Sequence, residues 1–181
     1  CERYNAWCAR HSPVMRQTHV AGEKLFVDYS GDRPQIVDPN TGEVHAVELF
    51  VAVLGASNLT FAEATRTQTV ADWTASHVRA FAYLGGVPRA VVPDQLKGGV
   101  SRSCRYEPGV QRTYDELAEH YGTTVLPARP AHPRDKAKVE AGVLIAQRWI
   151  LARLRHHTFF SLDELNARIA EGVIAANVTM P

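Results

Sequence analysis

The apolar and polar positions divide the chain into a strand-rich first part and a later alternation of helices and strands. Lys24 to Ser30 (KLFVDYS) is a nearly continuous apolar run broken by one acid, Asp28, and bounded by Gly22 and Gly31. Such a run predicts a central strand buried on both faces. Val44 to Leu54 alternates, with Val47, Leu49, Val51 and Val53 on one side and Ala46, Glu48, Phe50 and Ala52 on the other, which predicts a second strand. The turn-forming Gly55-Ala56-Ser57-Asn58 then leads into Leu59 to Thr65, so these two runs are expected to pair as an antiparallel hairpin.

Period 2 then gives way to period 3.6. Thr69 and Asp72 have capping-box spacing, Val70, Trp73, His77, Phe81 and Leu84 form a helical stripe, and Gly85-Gly86 closes it. A short apolar strand, Arg89 to Val92, is stopped by Pro93. A second helix is expected from about Val110 to His120, with Tyr114, Leu117 and Tyr121 as its stripe, Gly122 as its terminator, and Thr123 to Leu126 as the next strand. Pro127, Pro130 and Pro133 mark an extended loop. After it Val139, Val143, Ala146, Ile150 and Leu154 recur at spacings of 4, 3, 4 and 4, which predicts the longest helix. Ser161 and Glu164 form another capping box, starting a last helix that carries Leu165, Ile169 and Val173. Three leading strands followed by strand–helix alternation predict an α/β fold: a mixed five-stranded sheet flanked by helices.

Composition adds boundaries. With 181 residues, 45% hydrophobic and 22% charged, the chain is long and apolar enough to bury one ordinary globular core. It has no apolar run of membrane-spanning length and no charged-then-apolar leader, so a cytoplasmic address without membrane contact is expected. Cys1, Cys8 and Cys104 are odd in number and widely spread, against a secreted disulfide framework. Cys1, Cys8, His11 and His19 also lack the paired spacing of a zinc site. The net charge of +1 demands no nucleic-acid partner, yet Arg129, Arg134, Lys136, Lys138, Arg148, Arg153 and Arg155 fall within 27 positions. A phosphate backbone is expected there. Residues 1–21 read as an N-terminal extension or linker, 22–160 as the core domain, and 161–181 as a C-terminal helix and truncated tail; the chain is expected to be a piece of something longer.

Three acids stand at edges of the predicted sheet. Asp28 interrupts the first strand, where an ionised side chain is costly unless paired or bound to metal. Asp94 lies two residues past an apolar strand, where open α/β sheets gather ligands. Glu140 lies beside the core position Val139 on the long helix, four residues after Lys136. Singly, each has a structural explanation: a strand-end Asp accepting hydrogen bonds, a turn-forming Pro-Asp, and a solvated i,i+4 ion pair. Jointly they would repel one another without a cation. Oxygen donors with no His or Cys beside them favour Mg²⁺ or Mn²⁺, and two such ions suit phosphodiester chemistry. Lys97, Arg134, Lys136, Lys138 and Arg148 are the candidate phosphate contacts. Trp73 and Trp149 are expected in the core, and His156-His157 in a structural role at a helix end.

The stretches GEKLFVDYSG, VPDQLKGGV and RPAHPRDKAKVEAGVLIAQRWILARLRHHTFFSLDELN resemble the catalytic core of IstA-type insertion-sequence transposases, within the DDE transposase and retroviral integrase superfamily. The resemblance runs over about Gly22 to Asn166 and places the catalytic and metal-binding acids on Asp28, Asp94 and Glu140. It implies a ribonuclease H-like fold and Mg²⁺- or Mn²⁺-dependent, two-ion strand transfer, in which a freed 3′ hydroxyl attacks target DNA. It also implies a homo-multimer on paired DNA ends and an AAA+ ATPase helper. Two departures stand out: Gln95 where Asn commonly follows the second acid, and the tail Glu171 to Pro181, which lacks the acidic, Asn-rich continuation. Two other readings stay open at this stage, a ribonuclease H-like nuclease that cuts without joining and an inactive DNA-binding module.

Overall fold

The computed structural model describes residues 18–93, 108–126, 144 and 146–179. Its centre is β1, Lys24–Tyr29, with Leu25 and Val27 fully buried. β1 pairs antiparallel with β4, Glu48–Leu54, which pairs antiparallel with the edge strand β5, Thr60–Thr65. On its other side β1 pairs parallel with β6, Ala90–Pro93, and β6 parallel with β7, Thr124–Val125. The sheet is therefore mixed and five-stranded, as the sequence pattern predicts, and its strand order is β5-β4-β1-β6-β7.

Each face of this sheet has its own core. Leu25 and Val27 of β1 join Phe50 and Ala52 of β4 under α1, Val70–Leu84, and α2, Pro108–Tyr121, through Trp73, Phe81 and Tyr114. On the opposite face Leu49, Val51 and Val53 pack with Ile150, Leu165, Ile169 and Val173. Ile150 belongs to a π-helical stretch, π1, Ala146–Leu151, continued by α3, Ala152–Leu154; the other three come from α4, Leu162–Thr179. The caps follow the sequence. The Ser161 hydroxyl accepts the Glu164 N–H at 3.1 Å while the Glu164 carboxylate accepts the Phe160 N–H at 3.0 Å. Gly85 and Gly122 take φ of 71° and 64° just past α1 and α2, a left-handed conformation that suits glycine.

Three features differ from the sequence reading. The run Val44 to Leu54 is two strands: β3, Val44–Ala46, pairs with β2, Gln35–Val37, in a separate two-stranded sheet, and only β4 enters the main one. At the break the Val47 N–H donates to the Pro34 carbonyl at 2.9 Å. The alternation of side chains survives the break, so periodicity shows one strand where hydrogen bonding makes two. β2 itself went unpredicted because of its three residues only Ile36 is buried. Finally, Ala146–Leu151 is π-helical where an α-helix is expected; a π stretch of six residues is too short for side-chain periodicity to reveal it.

α4 does more than bury its stripe. The Asn166 side chain accepts from the Ala64 N–H at 2.6 Å and donates to the Ala64 carbonyl at 3.0 Å. Three turns on, Asn177 does the same for Thr60, at 2.9 and 2.8 Å. Thr60 and Ala64 lie on the edge strand β5, so α4 satisfies backbone groups that an open sheet edge leaves unpaired.

Candidate active site

Asp28 is the fifth residue of β1 and is half-buried. Strand alternation turns it away from Leu25, Val27 and the α1–α2 core, towards the face covered by π1 and α4. Across the antiparallel pair it lies opposite Val51, a core residue of that face. Its Oδ1 accepts the Tyr29 N–H at 2.8 Å. The chain then leaves the sheet through Ser30, whose N–H donates to the Leu49 carbonyl at 2.8 Å and whose hydroxyl accepts the Asp32 N–H at 3.2 Å. Asp28 is thus held at a carboxyl-terminal strand end by local backbone bonds.

β6 ends at the same level. In the parallel register Val27 lies opposite Pro93, and Asp94 is the next residue of the chain after Pro93. Two neighbouring parallel strands therefore end where one candidate acid is placed and the second follows directly in sequence. Glu140 precedes by six residues the π1 stretch, whose Ile150 is buried against Val51 on the Asp28 face. Asp94, Lys97, Arg134, Lys136, Lys138 and Glu140 themselves lie outside the described residues, as do Gln95, the loop prolines and Cys1, Cys8, His11 and Cys104. Arg148 is described, exposed on π1.

Other buried acids at this end of the sheet are structural. Glu48 pairs with Arg33 at 2.8 Å and accepts from Gln68 at 2.7 Å. Glu63 takes a two-pronged contact from Arg79, at 2.6 and 2.8 Å, which raises the guanidinium pKa further. Beneath Asp28, on the α1 face, burial pushes the Tyr29 hydroxyl up to about 12, so it stays protonated. Among the described residues no three His, Cys, Asp or Glu side chains gather to hold a metal elsewhere. No described helix is long and apolar enough to cross a membrane. Trp73 is buried as expected, whereas Trp149 is only half-buried and lines an open cleft, because Arg153 rather than core packing covers its ring.

The integrase core domain family matches residues 24–133, a span that holds Asp28 and Asp94 and ends before Glu140. The chain belongs to that family. It is 51% identical over 177 residues to the protein assigned as the transposase of insertion sequence IS408 in Burkholderia multivorans, covering 98% of this chain and 34% of the relative. It is 48% identical over 170 residues to the one assigned to IS1162 in Pseudomonas fluorescens, covering 94% and 30%. The chain thus spans about a third of the length of these relatives. Among solved structures it resembles a chain of the simian T-cell lymphotropic virus intasome, captured with the PP2A regulatory subunit B56 gamma, at TM-score 0.58 and 15% identity over 91% of this chain and 50% of that one. It also resembles the catalytic core domain of BIV integrase at TM-score 0.55 and 12% identity, covering 86% and 83%. These likenesses show the fold, which is ribonuclease H-like.

Proposed function

We propose that this chain is the catalytic core of an insertion-sequence DNA transposase, with Asp28, Asp94 and Glu140 as its catalytic and metal-binding acids. The observation that carries the reading is the position of Asp28: a carboxylate at the end of β1, level with the end of β6, in a member of the integrase core domain family. The donor set fits a hard divalent cation, since all three acids offer only oxygen. When bound there, Mg²⁺ or Mn²⁺, as a pair of ions, would supply Lewis acidity to a phosphodiester.

The chain's own residues then hold and orient. Asp28 presents its carboxylate from a rigid strand, its Oδ1 fixed by the Tyr29 N–H at 2.8 Å, so little motion is needed on reaching the reactive geometry. Arg148, and by sequence Lys97, Arg134, Lys136 and Lys138, hold the DNA backbone through charge without reading bases. The partners proposed are transposon ends and target DNA, a homo-multimer on paired ends and an ATPase helper. The setting proposed is the bacterial cytoplasm, on the nucleoid when DNA is bound.

A labelled transposon-end duplex incubated with a target plasmid and Mg²⁺ tests this, using this chain alongside a protein of the relatives' length. Joined product that disappears in Asp28→Asn supports the reading. Cleavage without joining would make the protein a nuclease, and neither product from the longer protein would reduce it to a binding module.

A further inference from the structure

The helical layer on the Asp28 side carries an open cleft of about 360 Å³ between π1–α3 and α4. Ile150, Leu154 and Gly172 form its deep part, and Arg153, His157, Arg168 and Glu171 its exposed rim. The two helical segments come close because residue 172 lacks a side chain: a Cβ there would meet Ile150 at 3.3 Å.

Two arginines stand on this rim. The Arg153 guanidinium carbon lies 5.1 Å from the centre of the Trp149 ring, one turn earlier. That cation–π contact restrains the arginine while leaving its N–H edges to other partners. No carboxylate among the described residues pairs with it. Among the described residues Arg168 pairs with Glu171 alone, at 2.9 Å, with both side chains more than half exposed, a surface pair of small worth. From 141 to 161 the sequence has no Asp or Glu but carries Arg148, Arg153 and Arg155, so the π1–α3 wall attracts an anion, while Glu171 on the α4 wall opposes it.

We propose that this cleft is a second DNA-backbone site, in which Arg153 and Arg168 contact phosphates of a duplex lying across the outside of the helical layer. It binds by charge and shape, independently of base sequence, and its residues are other than the Lys97, Arg134, Lys136, Lys138 and Arg148 assigned above. The proposal rests on the transposase reading only for the identity of the polyanion.

Anisotropy of a short fluorescent random-sequence duplex, titrated with salt in the presence of EDTA, reads this site without the metal chemistry. Arg153→Ala/Arg168→Ala is expected to weaken binding tenfold or more at low salt. It should also reduce the log–log salt slope by roughly two, at about 0.9 per phosphate contact. Arg153→Lys/Arg168→Lys keeps most of the slope, and Glu171→Gln, which releases Arg168, tightens binding severalfold. Strand transfer is read in the joining assay with Mg²⁺ and this site in EDTA, so loss of one and loss of the other are separately visible. A wild-type slope in the alanine pair overturns the proposal, as does stronger competition by polyglutamate than by duplex, which would make the cleft a protein-docking site. Should the alanine pair fail to fold, Glu171→Gln decides alone: unchanged affinity overturns the proposal.

Discussion

Asp28 and His77 are both polar groups set among apolar neighbours, and the fold treats them in opposite ways. His77 is fully buried on α1 with its needs met inside the protein: Nδ1–H donates to the Trp73 carbonyl at 2.7 Å, and the Tyr114 hydroxyl donates to Nε2 at 3.0 Å. Burial holds its pKa down to about 4, so the folded state keeps it neutral while the unfolded chain takes a proton near 6.5. Stability is therefore complete above about pH 6.5 and declines as pH falls towards 4, by about 3 kcal/mol in total. Urea unfolding across that window checks it: His77→Phe, whatever its absolute stability, should show the flatter pH profile. Asp28, by contrast, sits half-buried at a strand end, as a carboxylate kept for chemistry would. Asp28→Asn is expected to lower strand transfer roughly a thousandfold, about 4 kcal/mol of barrier, while leaving the melting temperature unchanged or slightly raised as like-charge repulsion is relieved. A clear drop in melting temperature would mark Asp28 as structural instead. Asp28 stands out in the sequence as a candidate because an acid inside an apolar run is costly. The role of His77 was not, since its stripe position says core and its partner Tyr114 lies 37 residues away on another helix.

At the scale of elements, the sequence pattern is reliable where burial on one face sets the period and silent where backbone bonding decides. The strands β1, β4, β5 and β6 and the helices α1 and α4 carry strong periodicity and appear within a few residues of expectation. The β3–β4 break leaves side-chain alternation intact and the π geometry of Ala146–Leu151 spans only six residues, so no period reports them. The two asparagines of α4 were equally hidden: on a helix pattern they read as polar filler, and only the fold shows both on the edge of β5. Removing either leaves a backbone N–H and C=O of a buried strand residue without that partner, since Thr60 and Ala64 are both buried. Asn166→Ala and Asn177→Ala are each expected to cost about 1–3 kcal/mol, measured by chemical denaturation. The double variant, with its sheet edge uncovered, should also form larger species in light scattering at concentrations where the wild type does not.

Across the whole molecule, residues distant in sequence become neighbours because β1 and β6 run parallel with Val27 opposite Pro93; a strand–helix–strand crossover makes β6 parallel to β5, but no period in the sequence reports its pairing with β1. The cleft on the other side of the helical layer needs Arg153 and Arg168 from two separate helices, and no spacing rule forecasts it. If Asp28 anchors a metal site shared with Asp94 and Glu140, cation binding is linked to global unfolding, because the unfolded chain cannot hold the three carboxylates together. Mn²⁺ at ten times its dissociation constant then stabilises the fold by about 1.4 kcal/mol. For a chain of this size that corresponds to a rise of roughly 3–6 °C in melting temperature. Asp28→Asn should lose most of that rise, whereas Arg153→Ala/Arg168→Ala should keep it, since those arginines lie outside the acid site. Equal Mn²⁺ shifts in wild type and Asp28→Asn would place the ion elsewhere and remove Asp28 from the metal site, and scanning calorimetry on the three proteins distinguishes these outcomes without any DNA present.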